Sequence, residues 1–268
     1  MKICIPIGAS NTEKAIEKII RANELADLLE FRLDLLDPGS LEELRQAAAR
    51  PVIGTCRSAK QGGQGPDDGE RQARVLRRAR EAGADLLDLE YDLAVRIRED
   101  LLKAFGSERV ILSAHLLAGT PSWKSLQDLL KRMAAVGSSL VKIVTRAHTV
   151  EDNLRVLRLI PEAERMGLGI IAFCLGPLGR ISRIASPLLG GYLTFASLET
   201  GEESAPGQIP AGEMRRVLTL MSSESNSSSH RGNDRRGLDS GVRRNDGRGE
   251  SAKGHHPGKR RGPDIKLG

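Results

Sequence analysis

The sequence predicts an α/β fold, a (β/α)₈ TIM barrel, over residues 1–221. Three observations carry this. Eight short apolar segments recur along the chain, and amphipathic stretches separate them. Several segments are apolar almost throughout, as in Val110-Ile111-Leu112 and Gly169-Ile170-Ile171-Ala172-Phe173, which suits parallel strands covered on both faces. Eight such repeats in about 220 residues match the size of a small barrel. An open doubly wound sheet is the competing architecture. It calls for a glycine-rich dinucleotide loop after the first strand, and Ile7-Gly8-Ala9-Ser10-Asn11 supplies none.

In chain order the expected strands are Lys2–Ile7, Leu28–Leu33, Val52–Cys56, Asp85–Leu89, Val110–Ala114, Leu140–Val144, Gly169–Cys174 and Tyr192–Ala196. The first helix, Thr12–Leu25, gathers Ala15, Ile16, Ile19 and Ile20 on one face and leaves Lys14, Glu17, Lys18 and Arg21 outside it. Asp67–Glu81, Ala94–Phe105, Ser122–Val136, Val150–Arg165 and Ile209–Leu220 have the same period. Ser40 precedes Leu41-Glu42-Glu43 as a helix cap, and Thr149 with Asp152 forms a capping box. Gly83, Gly106, Gly137 and Gly167 follow helices, where a left-handed residue closes the last turn.

The formal net charge is +6, from 41 basic and 35 acidic side chains. Eleven of the basic and six of the acidic groups lie in residues 222–268, so residues 1–221 carry only +1. The body is therefore not a basic nucleic-acid binder. The last 47 residues hold nine Gly and eight Ser, no aromatic residue and few apolar ones. A segment of that composition cannot bury enough surface to offset its ordering entropy, so residues 222–268 are expected to be a disordered basic tail. His255-His256 has no spaced partner for a metal. Cys4, Cys56 and Cys174 sit in or beside apolar runs, as small hydrophobes do, and their odd number argues against a disulfide framework. No run reaches the roughly 18 apolar residues needed to cross a bilayer. A cytoplasmic protein without membrane association is the expectation.

A barrel places its chemistry at the C-terminal ends of its strands. Polar groups gather there: Glu30 and Arg32, Arg57 and Ser58, Asp88 and Glu90, Ser113 and His115, and Lys142 with Thr145 and Arg146. Lys142 is flanked by two apolar residues on each side within a buried strand. Burial and neighbouring cations would leave it a free amine able to attack a carbonyl, whereas a strand-end lysine can also reach out to solvent. His115 fits a proton shuttle near neutral pH, or a buried histidine satisfied by backbone. Glu30 with Arg32, and Asp88 with Glu90, are two residues apart and face one side of their strands. Such inward ion pairs fit a polyhydroxylated substrate or an ordinary polar layer. Gly176-Pro177-Leu178-Gly179-Arg180-Ile181-Ser182-Arg183 is expected to be a glycine-rich loop for phosphate, or an arginine pair for a carboxylate.

The ordered set resembles type I 3-dehydroquinate dehydratase. Its pieces are Glu30-Phe31-Arg32-Leu33-Asp34, Arg57-Ser58-Ala59-Lys60-Gln61-Gly62-Gly63, Asp88-Leu89-Glu90 and Ser113-Ala114-His115 with Thr120-Pro121. They continue with Val141-Lys142-Ile143, Gly179-Arg180-Ile181-Ser182-Arg183 and Ser204-Ala205-Pro206-Gly207-Gln208. The resemblance implies a dimeric barrel without metal or dissociable cofactor, which dehydrates 3-dehydroquinate to 3-dehydroshikimate. By position, Lys142 resembles the Schiff-base lysine, His115 the general base and then acid, and Arg183 the carboxylate clamp. Glu30, Arg32, Arg57, Ser204 and Gln208 match positions that contact ring hydroxyls or order a closing loop. One departure matters. Gln61 stands where the family typically has the Glu that partners the catalytic histidine, which implies slower or pH-shifted turnover. Phe173 and Leu175 replace methionines with similar apolar bulk. A class I aldolase and a degenerate barrel retained as a binding protein are the alternatives.

Overall fold

The computed structural model describes residues 1–223 apart from 37, 38 and 40, and of residue 223 the backbone only. The proposed cap at Ser40 and nearly all of the expected disordered tail therefore lie outside the described residues.

The eight expected strands form one parallel sheet in the order β7-β6-β5-β4-β3-β2-β1-β8. They are β1 (Ile3–Ile7), β2 (Leu28–Arg32), β3 (Val52–Thr55), β4 (Leu86–Glu90), β5 (Val110–Leu116), β6 (Leu140–Arg146), β7 (Gly169–Leu175) and β8 (Thr194–Phe195). Strand β8 pairs with β1. The Tyr192 N–H donates to the Ile170 carbonyl at 2.7 Å and brings the start of β8 to β7, which nearly closes the barrel.

The helices are α1 (Thr12–Leu25), α2 (Leu41–Ala47), α3 (Gly69–Glu81), α4 (Val95–Phe105), α5 (Trp123–Ala134), α6 (Val150–Leu157), α7 (Leu159–Arg165), α8 (Arg180–Leu188) and α9 (Ala211–Ser223). The capping box of Thr149 and Asp152 starts α6. The single helix expected over 150–165 breaks at Arg158, three residues before Pro161. Proline has no N–H to donate and crowds the preceding turn. The second difference bears on the site. Arg180–Arg183 is not part of a glycine-rich loop but opens α8, after one tight turn at Pro177–Gly179.

Strand alternation sorts the side chains. Outward residues such as Leu29, Leu87, Leu89, Leu112, Val141 and Ile143 pack under the helices. Inward residues fill the barrel in layers. The floor is apolar, with Cys4, Leu28, Ile53, Leu86, Ile111, Leu140 and Ile171. Two residues further along the strands, Glu30, Thr55, Asp88, Ser113 and Lys142 form a polar layer. Above it stand Arg32, Arg57, Glu90 and His115 at the mouth. The floor excludes water beneath the polar layer, which strengthens the electrostatic interactions inside it.

Candidate active site

One cavity of about 160 Å³ opens at the C-terminal ends of the strands. Glu30, Arg32, Arg57, Gln61, His115, Lys142, Arg183, Ser204 and Gln208 all line it, together with Phe173, Leu175 and Phe195. They come from six strand ends, one helix and the segment before α9.

Lys142 stands on the inward face of β6 and is 5 % exposed. Its Nζ lies 3.0 Å from Asp88 Oδ2, 3.6 Å from Glu30 Oε1 and 4.3 Å from the centre of the Phe195 ring. Its nearest charged partners are thus carboxylates rather than the cations expected from the sequence. Asp88 offers its other oxygen to Arg57 Nη2 at 2.6 Å and also accepts from the Ser113 hydroxyl. Burial pushes the Asp88 carboxyl up, but the Arg57 and Lys142 charges outweigh it and hold the group well below the carboxylate range.

Arg57 is largely engaged within the protein. Its Nη1 donates to Glu90 and Ser113, each at 3.0 Å. Glu90 also accepts from the Ser58 N–H and hydroxyl and from Gln72 Nε2. The expected pairing of Glu30 with Arg32 along β2 does not form. Arg32 instead grips Asp34 through Nε and Nη2, at 2.9 and 2.6 Å. Glu30 faces Lys142 and accepts from the Thr55 hydroxyl at 2.9 Å. Of the two openings left by the sequence, Glu30 and Arg32 reach the cavity, whereas Asp88 and Glu90 form the layer that braces it.

His115 ends the inward row of β5. Gln61 Oε1 is 3.0 Å from His115 Nδ1 and accepts the His115 backbone N–H at 3.2 Å. A carbonyl oxygen only accepts, so this contact requires hydrogen on Nδ1 and leaves the Nε2 lone pair free. Burial, with the Arg57 and Lys142 charges, pushes the imidazole well below its ordinary value and keeps it neutral at pH 7. Gln61 is placed by a tight turn. Its neighbour Gly62 is left-handed at φ 84°, and Gly63 runs so close to Arg57 that a Cβ would lie 2.1 Å from the Arg57 carbonyl oxygen.

Arg183 projects from the buried face of α8 and is fully buried. Its guanidinium stacks 4.4 Å above the Phe173 ring, and Nη2 donates to the Pro206 carbonyl at 3.3 Å. Nε and Nη1 are buried without a hydrogen-bond partner. Burial lowers its pKa to about 10. A desolvated guanidinium with idle donors at a cavity wall is poised for an anion. The segment Ser204–Gln208 covers this side. Gln208 Oε1 accepts the Ser204 N–H at 2.7 Å, and the Gly176 N–H donates to the Pro206 carbonyl at 3.0 Å.

Arg146, read at the end of β6 from the sequence, lines the cavity. Two members of the surroundings went unseen in the sequence: Phe195 lies under the amine, and Asp92 binds the amide of Gln61. Asp92 carried a signal, since it continues the two-residue rhythm of Asp88 and Glu90. No cluster of three or more His, Cys, Asp or Glu side chains suited to a metal ion occurs among the described residues.

The type I 3-dehydroquinase family model matches residues 3–225. The 3-dehydroquinate dehydratase of Desulfotalea psychrophila is 33 % identical over 220 residues, covering 81 % of this chain and 96 % of that protein. The enzyme of the same name from Thermococcus gammatolerans is 39 % identical over 218 residues, covering 80 % and 96 %. The crystal structure of 3-dehydroquinate dehydratase from Geobacillus kaustophilus superposes with a TM-score of 0.76 at 29 % identity, over 84 % of this chain and 92 % of that one. With a barrel, a carboxylate-flanked lysine, a neutral histidine and a waiting guanidinium at one mouth, and a match over nearly all of residues 1–223, the chain belongs to the type I 3-dehydroquinase family.

Proposed function

We propose that the chain eliminates water from 3-dehydroquinate to give 3-dehydroshikimate through a Schiff base on Lys142, with no metal or dissociable cofactor. The buried amine of Lys142, beside a neutral His115 and facing an unsatisfied Arg183, carries the reading.

Arg183 takes the substrate carboxylate on its idle N–H groups and fixes the ring. Lys142 Nζ adds to the ketone carbon, and passage of two protons from its ammonium, paired with Asp88 and Glu30, to the carbonyl oxygen expels one water and leaves an iminium. The iminium draws electrons from the neighbouring C–H bond. His115 Nε2 takes that proton, giving an enamine and an imidazolium. The enamine then expels the ring hydroxyl, which the imidazolium protonates to water. A second water hydrolyses the iminium, returns the ketone and frees Lys142. One water is consumed and two are released, so the net change is loss of one. Glu30 and Arg32 hold ring hydroxyls, Arg57 braces Asp88 and Glu90 beside them, and Ser204 with Gln208 closes the mouth. Gln61 aims His115 without supplying charge to the imidazolium. Phe173 and Leu175 keep the wall apolar.

Two further statements belong to this reading. The protein works in the cytoplasm, consistent with the absence, among the described residues, of any helix long and apolar enough to cross a membrane. It pairs as a homodimer, whose contact would cover the exposed Val150, Leu154, Leu178 and Ile181 on the adjoining α6, α8 and the turn before α8.

Borohydride reduction in the presence of 3-dehydroquinate should leave a reduced adduct on the peptide containing Lys142. Folded protein that yields neither adduct nor dehydroshikimate absorbance overturns the assignment. Turnover of sugar phosphates in place of dehydroquinate would favour an aldolase.

A further inference from the structure

Position 61 carries no charge, yet a carboxylate stands one hydrogen bond further out. Gln61 Nε2 donates to Asp92 Oδ1 at 2.7 Å, while Gln61 Oε1 faces His115 Nδ1 at 3.0 Å. Asp92 follows β4 and is held on its other oxygen by Lys60 Nζ at 3.4 Å. Gln61 is buried, and Asp92 is about half exposed. The amide is thus a bridge with a donor end on a carboxylate and an acceptor end on an imidazole.

The bridge has one allowed orientation. If the amide turned over, its NH₂ would face the His115 N–H and Arg57 Nη1, and its oxygen would face the Asp92 carboxylate. Donor would meet donor and acceptor would meet acceptor. The carboxylate also polarises the amide, which strengthens the oxygen as an acceptor at the far end.

We infer that Asp92 is a positioning residue for the dehydration, restoring through Gln61 part of the anionic support that a carboxylate at position 61 would give His115. This rests on the reading of His115 as the proton carrier. Asp92 itself does not touch the cavity. It acts by keeping hydrogen on His115 Nδ1 and the Nε2 lone pair toward substrate, and by favouring the imidazolium once the proton has moved.

A double-substitution cycle tests it. Asp92→Ala should lower kcat about three- to tenfold, with KM changed less than twofold and the lysine adduct still trapped. The acid limb of the kcat profile should move to lower pH, because an anion that supports the imidazolium has gone. Asp92→Asn keeps an acceptor without charge and should fall between parent and Asp92→Ala. The sign should reverse in a Gln61→Glu background. There two carboxylates oppose each other at hydrogen-bond distance, so adding Asp92→Ala should leave kcat unchanged or raise it.

An equal loss in both backgrounds would assign Asp92 a merely structural role and overturn the inference, as would no change in either. Failure of the parent protein to turn over or form the adduct is read separately. It removes the dehydratase reading itself.

Discussion

Lys142 Nζ and Asp88 Oδ2 lie 3.0 Å apart above the apolar floor of the barrel, and the other Asp88 oxygen is held by Arg57 at 2.6 Å. The carboxylate is therefore not stranded when the amine is removed.

Lys142→Met should separate catalysis from folding. The variant lacks the proposed nucleophile, so turnover and borohydride trapping should disappear. Asp88 keeps Arg57 and Ser113, and the methionine fills the vacated space beside Phe195. The melting midpoint should stay within about 4 °C of the parent, on the order of 1 kcal/mol for a domain of this size. Unfolding of the variant at ordinary temperature would show that the ion pair is structural.

With His115 as the proposed base, its titration should set the acid limb of activity. In the fold it titrates well below its ordinary value, through burial and the Arg57 and Lys142 charges, with Asp88 opposing them. The neutral base persists as pH falls past 6.5, the usual histidine value, so kcat/KM should decline only at lower pH. Gln61→Glu places a carboxylate on Nδ1–H, stabilises the imidazolium and moves that limb upward. His115→Gln should cost roughly 10²- to 10⁴-fold in kcat. A pH–rate profile of the three proteins reads all of this.

Arg183 presents a conflict between stability and activity. Its buried Nε and Nη1 have no partner in the free protein. Arg183→Met removes an unsatisfied buried charge, so thermal stability should be unchanged or higher. The proposed carboxylate clamp goes with it, and KM should rise at least about 30-fold, the lower end of the cost of losing one member of a buried charge pair. Calorimetry and initial rates on the same preparation test both halves.

Asp34 anchors Arg32 in two bonds and also accepts the Arg57 and Gln64 backbone N–H groups. Burial pushes its carboxyl up, but the Arg32 bonds and charge and the two N–H groups outweigh this and hold it below the ordinary range. A folded value below the unfolded one, about 3.9, means the contribution is complete above pH 4. It is lost as pH falls through the folded value. Asp34→Asn should destabilise by about 1.5–3 kcal/mol at pH 7 and by less in acid, measured by urea unfolding.

The family match ends at residue 225, and among the described residues nothing lining the cavity comes from beyond Gln208. Deleting residues 226–268 should leave kcat, KM and the melting midpoint within about twofold and 2 °C of the full chain. A tenfold loss of activity would give the tail a part in the chemistry.

Much of this site follows from local chemistry. A period of two along each strand assigns Glu30, Arg32, Asp88, Glu90, Ser113, His115 and Lys142 to the inward face without any knowledge of neighbours. The order of apolar segments sets the barrel, and its mouth then has only one end. Partnerships are different. Arg32 chose Asp34 over Glu30, Lys142 sits between Asp88 and Glu30, and Asp92 reached Gln61 across 31 residues. Residues 180–183 were misread as loop because two glycines precede them, whereas the helix they open is what aims Arg183. Periodicity reports the direction of a side chain relative to its own backbone. Which groups meet is settled by the tilt and stagger of strands from distant parts of the chain, and only the assembled barrel fixes those distances.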